Sequence, residues 1–195
     1  MRHSVSCIIP AFNEERTIAR TVDTAMRHGL IDDIIVVTDG CSDRTASKAR
    51  AAGARVIELP EHRGKTLAMQ AGIGRATGDI LLFLDSNLTL DADAITRLLR
   101  PVLEGRYDLK PHRGNTSSYK QGDVFVLRGE RAMDASLWRA IPDQYKPGYS
   151  MEIALGRTVR QLGAKATYVF APGLTVFIKE AKEGFLQSLF RRFAT

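Results

Sequence analysis

Residues 78–87 read Gly-Asp-Ile-Leu-Leu-Phe-Leu-Asp-Ser-Asn. Positions 80–84 are consecutive apolar side chains, so a strand here has no polar face to give to water. A strand apolar on both faces is covered on both faces, which is the habit of parallel sheets flanked by helices. The run stops at Asp85, a carboxylate at the strand's carboxyl end. In such sheets that end is where ligands bind.

The pattern repeats upstream. Residues 4–9, 33–37 and 54–59 are further strand-like runs, and helix-forming stretches follow each strand at 14–27, 43–52, 65–76 and 91–103. Ile18, Val22, Ala25 and Met26 recur at helical spacing in the first of these. Asp43 suits an N-cap and Gly53 a helix stop. The alternation predicts an α/β fold: a Rossmann-like, mostly parallel sheet with helices on both faces. The second half is less regular. It reads as a loop over 106–121, a strand over 122–127 and helices over 130–138 and 149–162. A strand over 165–170 and an amphipathic helix over 180–193 follow. No repeat or linker divides the 195 residues, which suit a single domain with halves at 1–105 and 106–195.

Hydrophobic residues make up 44% and charged residues 26%, which excludes a disordered chain, a collagen and a disulfide scaffold. No apolar run reaches the roughly 20 residues of a membrane span. Met1-Arg2-His3 leads straight into the first strand without a signal-peptide pattern. Cys7 and Cys41 read as reduced thiols of a cytoplasmic protein, not as metal ligands. The net charge is +6, and it is uneven: −1 over residues 1–105 and +7 over residues 106–195. A basic second half suits an anionic partner, such as a phosphorylated acceptor or a lipid surface; a solvated basic face is the plainer alternative. It lacks the interleaved aromatics of a nucleic-acid binder.

Three strand ends carry candidate chemistry. The first is Pro10-Ala11-Phe12-Asn13-Glu14-Glu15, where short polar residues open a helix whose free N–H groups can meet an anion or a base edge. The second is Thr38-Asp39-Gly40-Cys41-Ser42-Asp43. Asp39 can accept hydrogen bonds from a base or ribose, or serve only the turn; Gly40 allows a tight backbone turn. The third is Leu84-Asp85-Ser86-Asn87. Asp85 with the neutral oxygen of Asn87 can hold Mg²⁺ or Mn²⁺ against a diphosphate, or the segment is an Asx turn before the next helix. Between them, His62-Arg63-Gly64-Lys65 is a basic loop in which Arg63 and Lys65 can meet phosphate. It lacks the glycine spacing of a Walker A loop.

Together and in this order, residues 6–15 (SCIIPAFNEE), 34–45 (IIVVTDGCSDRT), 63–65 (RGK) and 78–89 (GDILLFLDSNLT) resemble the family 2 glycosyltransferases of the GT-A fold. The resemblance is strong over the first half and weak beyond it. It implies a nucleotide-diphospho-sugar donor of the UDP or GDP type. Pro10, Ala11, Phe12 and Glu14 then match the loop that holds base and ribose, with Phe12 where tyrosine is common. Asp39 matches the acidic residue that contacts the base, and Lys65 joins the donor site from the basic loop. Asp85-Ser86-Asn87 matches the Asp-X-Asp motif that meets ribose and metal. Asn87 replaces the second aspartate and weakens the charge offered to Mg²⁺ or Mn²⁺. A histidine that many relatives carry after the late strand is absent from residues 176–179.

The acceptor side is read from the same resemblance. Glu152, in Gly148-Tyr149-Ser150-Met151-Glu152, loosely matches an acidic residue near the acceptor in polyprenol-phosphate and phosphoglycerate sugar transferases. It can orient or deprotonate an acceptor hydroxyl, or it is a first-turn glutamate favoured by the helix dipole. Asp143 is a second candidate base. Lys110 and Arg113 lie where relatives place an acceptor loop. Phe185, Leu186, Leu189, Phe190 and Phe193, beside Arg191-Arg192, suit a helix packed on the sheet, or one touching the inner face of a membrane.

The expected function is sugar transfer to a phosphorylated or lipid-phosphate acceptor. The alternative is a nucleotide-sugar-binding protein with weak or lost turnover, motivated by Asn87 and the missing histidine. A nucleotidyltransferase is set aside, because Pro10-Ala11-Phe12 stands where a Gly-rich phosphate loop is needed.

Overall fold

The computed structural model describes residues 3–89, 92–105, 109–111 and 130–145, with positions 155, 158, 161, 162, 175 and 176. Its elements are β1 (Val5–Ala11), α1 (Ile18–Met26), β2 (Asp33–Asp39), α2 (Thr45–Ala51), β3 (Arg55–Leu59), α3 (Lys65–Ile73) and β4 (Ile80–Phe83). There follow β5 (Leu88–Thr89), α4 (Ala92–Leu103), β6 (Leu109–Pro111), β7 (Arg131–Asp134), α5 (Ala135–Arg139), a 3₁₀ turn at Asp143–Tyr145 and β8 (Thr175–Val176).

Six strands form one sheet in the order β3-β2-β1-β4-β7-β6, and β5 pairs separately with β8. The first four are parallel; β7 runs antiparallel to β4, and β6 antiparallel to β7. Period-two alternation sends β1 side chains to both faces. Cys7, Ile9 and Ala11 face one way, packed with Ile18 and Val22 of α1, Ala49 of α2 and Leu98 and Leu99 of α4. Ile8 faces the other way, with Met69 of α3 and Leu137 and Trp138 of α5. The mostly parallel, doubly covered sheet expected from residues 80–84 is therefore the architecture, and all four β4 residues are buried.

The first expected strand runs further than its proline suggested. β1 continues through Pro10 to Ala11. The reason is register. The Ile8 carbonyl accepts from the Leu84 amide, and β4 pairs no further along β1 than Ile8. Pro10, two residues on, aims its missing N–H at that same unpaired side, so no ladder bond is lost. The gap left beside β1 is the mouth of the site described below.

Other expectations need correction. The helix expected over 14–27 begins only at Ile18, because residues 14–17 form a turn in which the Glu14 carbonyl accepts from Thr17 and Ile18 amides. The loop expected over 106–121 contains β6, where Pro111 is tolerated because β6 is the sheet edge. The helix expected over 130–138 is a strand followed by a five-residue helix. Arg131–Asp134 pairs with both β4 and β6, and this sheet pairing overrides local helix preference. Asp134 then caps α5 by accepting from the Ser136 amide at 2.7 Å. Leu155, Thr158 and Gln161 are helical, as expected for 149–162. The elements expected over 122–127, 165–170 and 180–193 lie outside the described residues.

Candidate active site

β1 is followed in the chain by β2 and β3 on one side, and β4 pairs on its other side. The strand order thus reverses between β1 and β4, and a crevice opens outside their carboxyl ends. A cavity of about 330 Å³ lies there, lined by Pro10, Ala11, Phe12, Glu14, Asp39, His62, Lys65, Ala68, Asp85, Ser86 and Asn87. All eight residues expected on the donor and metal side are among them.

Each is held by local structure. Asn13 adopts a positive φ of 51° and its side-chain oxygen accepts from the Ser42 amide at 2.9 Å. Cys41 Sγ accepts from the Asn13 amide and donates to the Ala11 carbonyl. These bonds join the loop after β1 to the loop after β2. Asp43 adds a second join, accepting from the Thr45 amide at the start of α2 and from the Glu15 amide. The N-cap expected at Asp43 falls one residue later, at Arg44, whose carbonyl accepts from the Lys48 amide, and Asp43 supports the helix start from just outside it. Glu14 is buried; its amide donates to Thr45 Oγ1 at 2.8 Å and its carboxylate accepts from Thr17 Oγ1 at 3.0 Å.

Asp39 ends β2 with a carboxylate only 3% exposed. Oδ1 accepts from the Arg63 amide at 2.9 Å and Oδ2 from the Gly64 amide at 2.8 Å. His62 Nδ1 lies 2.8 Å from Oδ2 and 3.3 Å from the Asp39 carbonyl. Both neighbours are acceptors, so the ring proton belongs on Nδ1. The His62 ring also stacks on Phe12, with centroids 3.9 Å apart and planes at 24°. Gly40 makes this approach feasible: with φ at +65°, its position would put a Cβ 2.3 Å from the His62 amide nitrogen. Only glycine fits under that loop.

The opposite wall of the cavity is set by α3 and the end of β4. Lys65, the first residue of α3, forms an ion pair with Asp85 across the crevice. Asn87 and Ser86 complete that wall, and Thr21 Oγ1 in α1 fixes the Ser86 carbonyl at 3.1 Å. Asp85 and Asn87 offer hard oxygen donors, one charged and one neutral. Among the described residues, no three His, Cys, Asp or Glu side chains gather into a metal cluster.

The acceptor-side expectations fare differently. Asp143 is not at this cavity; it lines a second one with Trp138, Arg139 and Gly78. β7 runs antiparallel to β4 and its last residue pairs with Ile80, the first of β4, so the chain after β7 emerges at the opposite end of the strands from the cavity. Lys110 lies in β6, paired with Ala132. Pro111 is level with Arg131 and Phe83, so β6 leaves the sheet toward the cavity end. Glu152 and Arg113 lie outside the described residues. His62 also lines the cavity; it lies in the loop that follows β3, itself a strand end, and that position is the sequence signal that points to it.

The glycosyl transferase family 2 profile matches residues 6–137, a span that holds every donor-side residue above. The chain belongs to this family. The family 2 chain is 38% identical over 111 residues to a glucosyl-3-phosphoglycerate synthase of Mycolicibacterium smegmatis, covering 51% of the chain and 36% of that relative. It is 31% identical over 142 residues to an undecaprenyl-phosphate 4-deoxy-4-formamido-L-arabinose transferase of an Enterobacter species, covering 68% of the chain and 42% of that relative. The chain thus matches well under half the length of these curated relatives. Among solved structures, it resembles glucosyl-3-phosphoglycerate synthase of Mycobacterium tuberculosis in complex with Mn²⁺, UDP-glucose and glycerol 3-phosphate. The TM-score is 0.77 at 26% identity, over 97% of this chain and 76% of that one. The GT-A fold expected from the four motifs is therefore established. Among the described residues, no helix is long and apolar enough to cross a membrane.

Proposed function

We propose that this family 2 chain transfers a sugar from a nucleotide-diphospho-sugar of the UDP or GDP type to a phosphorylated or lipid-phosphate acceptor. The observation that carries it is the gathering of the donor-side residues around one cavity at the point where the strand order reverses. Phe12 offers a ring to the base, and Asp39 an acceptor for a base N–H. In this reading Lys65 and Asp85, paired across the crevice, meet the diphosphate and ribose.

A divalent cation fits this donor set in the manner of Mg²⁺ and Mn²⁺ sites that take one or two protein oxygens and the rest from phosphate. Asp85 and Asn87 would hold it, and its charge would stabilise the departing diphosphate. Lys65 already places an ammonium on Asp85. On loss of the sugar, that ammonium can turn to the developing phosphate charge. We assign the acceptor to residues 106–195, with Lys110 and Arg113 meeting its phosphate and Glu152 orienting its hydroxyl. Asp143 is not retained for that role, given its place at the other end of the sheet. The reaction is assigned to the cytoplasm, with residues 180–193 as a peripheral contact to the inner membrane face; their apolar spacing and Arg191-Arg192 support it.

The test is product formation. The chain is incubated with UDP-glucose or GDP-mannose, Mn²⁺, and 3-phosphoglycerate or a polyprenyl phosphate. Release of nucleoside diphosphate together with a glycosylated acceptor is expected. Nucleotide binding without transfer to either acceptor class contradicts it, and favours a binding protein that has lost turnover. The neutral Asn87 is the observation behind that second reading.

A further inference from the structure

We propose that the His62 side chain is a placeholder for the donor's nucleobase: it occupies the base's stacking face on Phe12 and its hydrogen-bond position on Asp39, and nucleotide binding displaces it. The inference rests on the donor-site reading above and concerns a residue that reading did not use.

A nucleobase is a planar aromatic heterocycle that can present a ring N–H. The imidazole of His62 has the same two properties and applies both to the same two residues. Its ring lies face to face on Phe12, with 3.9 Å between centroids and 24° between planes, a close stack that covers that face of the ring. Its Nδ1–H points at Asp39 Oδ2, 2.8 Å away. A carboxylate has about four acceptor positions. The Arg63 and Gly64 amides take one on each oxygen of Asp39, and His62 takes a third. A base entering this crevice meets a carboxylate largely engaged and an aromatic face already covered. The cavity, at about 330 Å³, is also near the lower end of the volumes that hold small-molecule ligands.

The arrangement allows the ring to leave without the loop. The backbone at 61–64 is pinned by three features: Gly40 packed beneath Glu61 and His62, the Gly40 amide bonded to the Leu59 carbonyl, and the two amide bonds to Asp39. The imidazole itself is 53% exposed and held at the site through Phe12 and Asp39. A χ rotation toward solvent therefore frees the Phe12 face and one acceptor position on Asp39, while both amides keep Asp39 aimed. With the ring in place the Asp39 carboxylate is shielded from solvent, and the base that enters must replace both contacts. A base with a ring N–H, as in uracil or guanine, does so.

The sign of one substitution decides the matter. UDP and GDP are titrated calorimetrically into the wild-type chain and His62→Ala. A placeholder competes with the ligand, so removing it tightens binding; the loss of one aromatic stack and one hydrogen bond corresponds to a Kd lower by about five- to a hundredfold. His62→Phe, which keeps a ring but not the N–H, should fall between the two. In the wild type, the His62 Nδ1 resonance should move on nucleotide addition to that of a solvent-exposed imidazole. If the wild type binds a nucleotide and His62→Ala binds it equally or more weakly, or the resonance stays put, the imidazole is a wall of the site or a bystander and the inference is wrong. If neither protein binds either nucleotide, the donor-site reading fails first and takes this inference with it.

Discussion

Asp39 has a part in the fold as well as its proposed place in the donor site. Its buried carboxylate satisfies two backbone amides of the loop before α3. Asp39→Ala would leave both N–H groups without that acceptor, at a cost of about 2–4 kcal/mol in stability. Chemical denaturation should read that loss, and nucleotide binding should fall with it. Asp39→Asn keeps the shape and one acceptor oxygen, so a smaller loss is expected. Gly40→Ala tests the neighbouring position: a Cβ there meets the backbone of Glu61 and His62, and φ at +65° is strained for alanine. Its expected signature is weakened nucleotide affinity through a displaced 61–64 loop, measured by the same titration. Cys7 is a different case. Burial pushes its thiol well above the ordinary range, so it behaves as a small core hydrophobe and should resist alkylation in the folded chain.

At the level of elements, α3 and β1 are in close contact at Gly72, where an added Cβ would lie 2.5 Å from Ile8 Cγ2. Ile8 is fully buried and has nowhere to move. Gly72→Ala should cost about 1–3 kcal/mol, seen as a lower denaturation midpoint with an unchanged slope. The starts of β1 and β4 are joined by Asp79, which accepts from the Ser4 amide and hydroxyl at 3.0 Å each. These bonds hold its carboxyl below the ordinary value. A depressed carboxyl stabilises the fold above its unfolded pKa, and that contribution is lost as pH falls through the folded value. The stability gap between wild type and Asp79→Asn should therefore be widest near neutral pH. It should close below the ordinary carboxylate value of about 3.9. The first four strands were legible because each is an apolar run bounded by turn residues. β6 and β7 were not. Leu109-Lys110-Pro111 is too short to show a period, and Arg131–Asp134 contains two charged residues whose strand state comes from pairing with β4.

Across the whole molecule, the donor side was readable because it is built from strand ends, and strand ends follow from hydrophobic runs. Pro10, Phe12, Glu14, Asp39, Lys65, Asp85 and Asn87 are far apart in the chain and reach one cavity through the parallel register. Asp143 lines a different cavity for the complementary reason. Its distance from that cavity depends on the reversed direction of β7, which no local pattern encodes. His62 was missed because its role depends on stacking with Phe12, 50 positions away in sequence. The crevice between β1 and β4 is proposed to bind a nucleoside diphosphate with the help of Asp85. The most direct measurement is calorimetric titration of UDP and GDP, each with and without Mn²⁺, into the wild type and Asp85→Ala. One nucleotide should bind the wild type, more tightly with Mn²⁺, and the Mn²⁺ enhancement should vanish in Asp85→Ala. Binding of neither nucleotide, or binding that Asp85→Ala leaves unchanged, would contradict it.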